Sequence, residues 1–220
     1  HFSEQASLTL GYRRSDIEVD AGQVRANAVL NGGARRLIGV DRFTQQDVNT
    51  YKVNFEYDVN EDVLLYALAT SGYRPGGVAP GSATAGVAPQ PYESDSLWNY
   101  EIGIKSSWLD NRLTANASIY RVDWDDMQLT KQVATSSGGV IAVTGNVGKA
   151  KVEGIELEAD YRATEYLTLG LNLSSLEATA EEAVIADSIE KGDRLPGSAE
   201  NTHSLYIDYV RPVNDELDLA

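Results

Sequence analysis

Along most of the chain apolar and polar side chains alternate every second residue, the period that puts one set on each face of an extended strand. Leu8, Leu10 and Tyr12 alternate with Thr9, Gly11 and Arg13, and Tyr51, Val53, Phe55 and Tyr57 with Lys52, Asn54, Glu56 and Asp58. The same holds for Trp98, Tyr100, Ile102 and Ile104 against Asn99, Glu101, Gly103 and Lys105, and for Leu113, Ala115, Ala117 and Ile119 against Thr114, Asn116 and Ser118. Later, Ile155, Leu157, Ala159 and Tyr161 oppose Glu156, Glu158 and Asp160, Leu167, Leu169, Leu171 and Leu173 oppose Thr168, Gly170, Asn172 and Ser174, and Leu205, Ile207 and Tyr209 repeat the pattern. The spacing predicts about nine strands, each with one greasy face. Only the run 63–69 is apolar on both faces; Leu64, Tyr66 and Leu68 are assigned outward there, because the opposite set includes the smaller Ala67 and Ala69. At Tyr120 the phase passes to Tyr120, Val122 and Trp124, which predicts a bulge or a strand that has risen clear of an apolar layer.

The connections between these strands alternate in length. Short polar turns are expected at 58–62, 109–112, 162–165 and 211–215, and long Gly-, Ser- and Ala-rich loops at 15–47, 73–95, 129–148 and 178–200. A soluble sandwich has no reason to gather all its long loops at one end, whereas outer-membrane barrels pair short periplasmic turns with long extracellular loops. Tyr57, Trp108, Tyr161, Tyr166 and Tyr209 lie beside the short turns, and Tyr51, Trp98, Tyr100 and Trp124 toward the long loops, which reads as two interfacial girdles. The expected fold class is all-β: part of an antiparallel transmembrane β-barrel.

Composition narrows the alternatives. At 220 residues and 42% hydrophobic content the chain could also bury a core as one soluble domain. No apolar run reaches the roughly 18 residues of a transmembrane helix, which excludes a helical membrane protein. A net charge of −15, with Arg25, Arg35, Arg36 and Arg42 scattered, excludes nucleic acid as a partner. There is no cysteine, hence neither disulfide nor thiolate metal site. The chain begins at His1 with no basic start and apolar stretch before Leu8, and reads as an internal piece of something longer.

Three stretches resemble TonB-dependent receptors. Ser71-Gly72-Tyr73-Arg74-Pro75-Gly76-Gly77 is followed by Tyr92-Glu93-Ser94 and then Tyr100-Glu101-Ile102-Gly103-Ile104-Lys105. This order is similar to the family's Gly-Tyr/Phe-Arg-Pro-Gly strand end and its Pro-Glu…Tyr-Glu-x-Gly-x-Lys strand, with Tyr92 standing where that proline is usual. Gly145-Asn146-Val147-Gly148-Lys149-Ala150 leads into Val152-Glu153-Gly154-Ile155-Glu156-Leu157-Glu158, similar to the family's Asn…Gly-x-Glu-x-Glu strand; Gly192-Asp193-Arg194-Leu195-Pro196 precedes the Leu205 strand, with Ala199 in place of a second proline. The resemblance implies a barrel of about 22 strands around an N-terminal plug, driven by TonB, ExbB and ExbD. Residues 1–220 are then a partial barrel domain, with plug, TonB box and terminal strand outside the chain.

The function this implies is energy-coupled uptake of a scarce nutrient (ferric siderophore, cobalamin or oligosaccharide) by binding and gating, with no enzyme chemistry and no cofactor. The partners implied are outer-membrane lipid and lipopolysaccharide, TonB–ExbB–ExbD through the plug, and a small-molecule or glycan substrate. Tyr73, Arg74 and Trp98 near the outer mouth are the candidate substrate contacts, since loop residues on a rigid scaffold often bind. The alternatives are a passive porin, a soluble β-sandwich adhesin or carbohydrate-binding module, and an outer-membrane phospholipase. The last would need a serine hydrolase site, yet His203 beside Ser204 has no Gly-x-Ser-x-Gly elbow to serve it. Glu156, Glu158 and Asp160 share one strand face and read as residues of a wet lumen; Asp123, Asp125 and Asp126 lack the glycine turn and distant glutamate of a calcium loop and read as an exposed loop base.

Overall fold

The computed structural model describes residues 5–26, 37–79, 90–134, 138–146, 148–182, 189–214 and 217–219. Eight strands form one antiparallel sheet: β1 (Ala6–Ala26), β2 (Leu37–Asn60), β3 (Val63–Arg74), β6 (Asp95–Trp108), β7 (Leu113–Asp125), β10 (Ala150–Arg162), β11 (Leu167–Ala180) and β12 (Asn201–Tyr209). Each pairs with the next, so the sheet is an up-and-down meander, and among the described residues it does not close on itself. Three separate two-stranded hairpins accompany it: β4 (Gly77–Ala79) with β5 (Gln90–Tyr92), β8 (Gln128–Ala134) with β9 (Val140–Asn146), and β13 (Arg211–Asn214) with β14 (Leu217–Leu219).

Register explains the alternation. Directly opposed residues share a face, and one row runs Leu8, Phe55, Ala67, Ile102, Ile119, Ile155 across six strands. The neighbouring row, on the other face, runs Ser7, Glu56, Tyr66, Gly103, Ser118, Glu156, Ser174, Thr202. A slip of one residue would exchange the two faces of a strand, so the apolar row fixes the pairing wherever its environment is apolar. Its side chains are open: Ile102, Ile119 and Ile155 keep 54%, 49% and 53% of their surface accessible. A contiguous exposed apolar face of this kind marks an interaction surface. On β6 it runs from Trp98 to Trp108, matching the about 9–11 residues of a tilted crossing.

Two expectations are corrected by this register. In β3 the outward residues are Val63, Leu65, Ala67 and Ala69, opposite Tyr57, Phe55 and Val53 on one side and Ile104, Ile102 and Tyr100 on the other; Leu64, Tyr66 and Leu68 face inward. Residue size misleads there because the neighbours, and not the strand's own apolarity, decide the face. At Tyr120 there is no bulge: β7 pairs without a shift from Leu113 to Asp125, and its outer face passes from Ile119 to Arg121, Asp123 and Asp125. This is the strand risen clear of its apolar layer, and it turns Tyr120, Val122 and Trp124 inward, so Trp124 is not part of the outer girdle.

The loop expected at 15–47 is largely strand, since β1 continues to Ala26 and β2 begins at Leu37. Beyond the apolar layer water bathes both faces, so the alternation fades while the backbone ladder continues. The loop expected at 129–148 contains most of the β8–β9 hairpin. Of the turn expected at 211–215, residues 211–214 form β13 and 215 lies outside the described residues. The turn at 109–112 is tight: Leu109, Asp110 and Asn111 carry φ of 58°, 56° and 60°, the left-handed region that Asn and Asp tolerate best. Arg112 ties it to the next turn, donating from Nε to Arg162 O (3.1 Å) and from Nη2 to Ala163 O (2.7 Å).

Candidate functional site

The inward face of the sheet is a polar wall. Glu56 accepts from Ser7 Oγ (3.2 Å) and Asn54 Nδ2 (3.0 Å), and Glu158 from Asn116 Nδ2 (3.2 Å). Tyr66 donates its hydroxyl to Glu101 at 2.5 Å, and Tyr206 donates to Asp160. Glu156, Glu158 and Asp160 stand on this wall, in one row of β10. Three tyrosines lie flat over cross-strand glycines: Tyr66 over Gly103, Tyr120 over Gly154 and Tyr206 over Gly170. A Cβ added at Gly103 or Gly154 would come within 2.6 Å of the ring, so glycine is what allows the close approach.

The outward face changes character toward the long connections. Tyr12, Tyr51, Trp98 and Tyr100 form a row of rings with centroids 5.6, 6.2 and 6.0 Å apart, Tyr51 and Trp98 being parallel within 4°. Ser71, between them on β3, is small enough to let the rings meet and also accepts a hydrogen bond from Tyr51 N (2.8 Å). Beside the rings, on β7 and β10, the face is charged: Arg121, opposite Tyr100, pairs with Asp123 (2.8 Å) and Glu153 (3.7 Å), Lys149 with Asp125 (2.8 Å) and Lys151 with Glu153 (3.3 Å). Hydrogen bonding to Asp125 raises the pKa of Lys149 above its ordinary value. Asp123 and Asp125 are therefore ion-pair partners on the outer face, and Asp126, with φ of 53°, makes the turn into β8.

The three candidate contacts are not brought together. Tyr73 and Trp98 lie on the outward face, Tyr73 opposite Ser96 and Trp98 stacked between Tyr51 and Tyr100. Arg74 lies on the inward side, half-exposed, with its guanidinium engaged from below. Nε donates to Asp95 Oδ2 at 2.8 Å, Nη2 donates to the same oxygen and to Gln128 O (3.0 Å), and the group covers the Trp124 ring at 4.6 Å. Asp95 retains 1% of its surface and also accepts from the amides of Arg74 (3.0 Å) and Gln128 (3.1 Å). Burial pushes its carboxyl pKa up, but these four donors and the Arg74 charge outweigh it and hold the group below the ordinary carboxylate value.

Two side-chain amides complete the arrangement. Gln128 Nε2 donates to the carbonyls of Arg74 (3.3 Å), Pro75 (3.0 Å) and Glu93 (3.0 Å). Asn146 accepts from Glu93 N (2.7 Å) and donates to the carbonyls of Glu93 and Asp126 (both 2.9 Å). Beside them Met127, Ala150 and Ala180 form a small buried cluster, with Trp124, Leu129, Ile189 and Leu195 packed against it. Sequence reasoning singled out Arg74 but missed its partners Asp95 and Gln128, and Asn146, which binds the adjoining Glu93 and Asp126. Asp95 follows the Tyr92-Glu93-Ser94 motif and Asn146 belongs to the Gly145-Asn146 motif; that both motifs sit at outer strand ends was the available signal. His203 and Ser204 point to opposite faces of β12, one opposite Leu173 and the other opposite Asn172, so they form no dyad.

Comparison with known proteins gives a consistent family. The family model described as "TonB dependent receptor-like, beta-barrel" matches residues 1–219. The ferric-pyoverdine 358 receptor of Pseudomonas putida is 28% identical over 118 residues, 53% of this chain and 14% of that protein. The pesticin receptor of Yersinia pestis is 34% identical over 109 residues, 48% of this chain and 15% of that protein. Among solved structures, the ferric yersiniabactin uptake receptor FyuA from Yersinia pestis aligns with a TM-score of 0.71 at 22% identity, over 96% of this chain and 30% of that one. The ferric-catecholate import receptor Fiu from E. coli aligns with a TM-score of 0.72 at 18% identity, over 99% and 31%. The chain thus spans about a third or less of the proteins it matches.

Proposed function

The chain belongs to the TonB-dependent receptor-like β-barrel family of the Gram-negative outer membrane, and from that premise we propose that it forms part of the wall of a receptor that imports a ferric chelate by TonB-coupled gating. The two-faced sheet carries this reading: the belt of Ile102, Ile119 and Ile155 meets lipid tails, and the wall of Glu56, Glu101 and Glu156 faces an aqueous lumen. The names of the similar receptors, which specify ferric pyoverdine, ferric yersiniabactin and ferric catecholate, favour an iron chelate over cobalamin or an oligosaccharide.

In this reading the rest of the barrel and a plug belong to the longer protein, energy reaches the plug from TonB, ExbB and ExbD, and the outer loops bind the solute. The protein binds and gates, and makes or breaks no covalent bond. Tyr73 and Trp98, directed outward, sit at the level of the lipopolysaccharide headgroups, and Arg74 acts on the lumen side.

The test is uptake of radiolabelled iron supplied as catecholate, hydroxamate and mixed chelates by cells expressing the whole protein. Accumulation of one chelate class that stops on deletion of TonB is the expected result. Accumulation that persists without TonB supports the passive porin instead, and no accumulation of any chelate removes the iron reading.

A further inference from the structure

Four segments of two outer connections meet at one point: the end of β3 at Arg74 and Pro75, the entry to β6 at Glu93 to Asp95, the β7–β8 corner at Asp126 to Gln128, and the end of β9 at Asn146. Arg74 pairs with Asp95 and Gln128 with Asn146 as strand partners, but among the described residues no strand pairing joins the first pair to the second. What holds the one connection to the other is side-chain chemistry that stands in for a backbone ladder. The Asp95 carboxylate collects the amide of Gln128 and both the amide and the guanidinium of Arg74, while the amides of Gln128 and Asn146 bind carbonyls on the other segments. Asp95 receives four donors, and Arg74 has one face on Trp124 and donates to Asp95 and Gln128 O, with nearly half of its side chain still exposed. The buried Met127 cluster lies alongside, so the junction is dry on one side and polar pairs there are stronger than in water.

The hairpins β4–β5 and β8–β9 both spring from this junction, one on each side of Asp95. We infer that Arg74, Asp95, Gln128 and Asn146 are positioning residues that weld the two outer hairpins into a single preorganised platform, and that Arg74 sets solute affinity through those hairpins without touching the solute. A platform ordered before the solute arrives spares the cost of ordering it on binding, which is how rigid loops gain affinity. The inference deepens the receptor reading and rests on it for the solute, but not for the platform itself.

The experiment uses the whole receptor in lipid nanodiscs, with Arg74→Ala, Asp95→Asn and the double variant, each checked for a folded barrel by its heat-modifiable gel mobility. Backbone amide exchange is read on the hairpin residues 128–134 and 140–146 and on the sheet residues 155–161 and 167–173. Each single variant is expected to speed exchange of the hairpin by at least about tenfold and leave the sheet unchanged, and the double variant should add little, because both substitutions dissolve the same junction. Unchanged hairpin exchange in both singles, or fully additive effects, overturns the platform.

Binding of the ferric catecholate, hydroxamate and mixed chelates is measured on the same samples. Asp95 is buried and cannot reach a solute, so loss of affinity in Asp95→Asn equal to that in Arg74→Ala supports positioning; loss confined to Arg74→Ala makes Arg74 a direct contact and overturns the inference. If no chelate binds even the unaltered receptor, the proposed function fails while the exchange result still decides the platform. Should Asp95→Asn not fold, Gln128→Ala, which deletes three loop hydrogen bonds and leaves the ion pair in place, carries both readouts.

Discussion

In the crossing part of the sheet the apolar side chains of Ile102, Ile119 and Ile155 stand about half exposed, whereas at the outer mouth Met127, Ala150, Ala178, Ala180 and Asp95 are sealed to 3% or less. The first region has hardly any interior: backbone ladders and a surrounding solvent of lipid tails hold it, and register follows from which face must be apolar. The second has water around it and a dry centre, and it is held as a soluble protein is, by packed side chains and satisfied buried polar groups. One chain thus applies two kinds of cohesion within a few residues of each other on β6, where Asp95 belongs to the mouth and Trp98 to the aromatic row.

The contrast can be broken most severely at the mouth. Arg74→Ala leaves the Asp95 carboxylate buried without its cation and should cost the local junction about 3–5 kcal/mol. Hydrogen exchange of the hairpins reads this, and the crossing strands should not respond. Because the folded-state pKa of Asp95 is depressed, its contribution is present above the unfolded value and is lost only as pH falls through the lower folded value. Hairpin protection in the unaltered receptor is therefore expected to survive well into the acid range, and in Asp95→Asn to lose this pH dependence.

In the crossing sheet the sensitive change is a charge on the lipid face. Ile102→Arg should destabilise the barrel by about 2–4 kcal/mol in bilayers, measured by denaturant unfolding, while Ser118→Arg on the lumen side should cost far less. Next comes the close packing on the inner wall. Gly103→Val drives a side chain into the Tyr66 ring and should cost about 1–3 kcal/mol, relieved by the second substitution Tyr66→Ala in the same assay.

The smallest effect is expected where the β1–β2 arm leaves the membrane. Asp16 lies opposite Asp47, whose hydrogen bond and charge raise the Asp16 pKa above its ordinary value, with Arg14 at 3.9 and 3.3 Å from the two carboxylates. A raised folded pKa means that stability falls as pH rises through it, so Asp47→Asn should flatten the pH dependence of exchange in this arm and leave the unfolding midpoint of the whole barrel unchanged.

Legibility in the sequence follows the same division. The crossing strands were readable because lipid requires one face of each to be apolar, and Trp98 to Ile104, Ile155 to Tyr161 and Leu167 to Leu173 obey that demand residue by residue. The run 63–69 misled because Tyr66 is large yet lies inward over Gly103, and only the register of the neighbouring strands reveals this. The outer parts of β1 and β2 were not readable as strand, since with water on both faces hydrogen bonding continues without a side-chain pattern. At the mouth Arg74 stood out by motif, but its partners are 21 and 54 residues away, and nothing local to Asp95 or Gln128 reports that they converge.

The account depends on the isoleucine belt facing lipid, and the most direct measurement is spin-label accessibility in the whole receptor in bilayers. This chain has no cysteine, so within it Ile102→Cys, Ile119→Cys and Ile155→Cys can be labelled singly, beside Glu101→Cys, Ser118→Cys and Glu156→Cys. Membrane-soluble oxygen should relax the first three labels strongly and a water-soluble nickel chelate should not reach them, with the other three shielded from oxygen. Labels at 102, 119 and 155 that respond to neither reagent, as they would inside a protein core, or that respond to the nickel chelate, would contradict it.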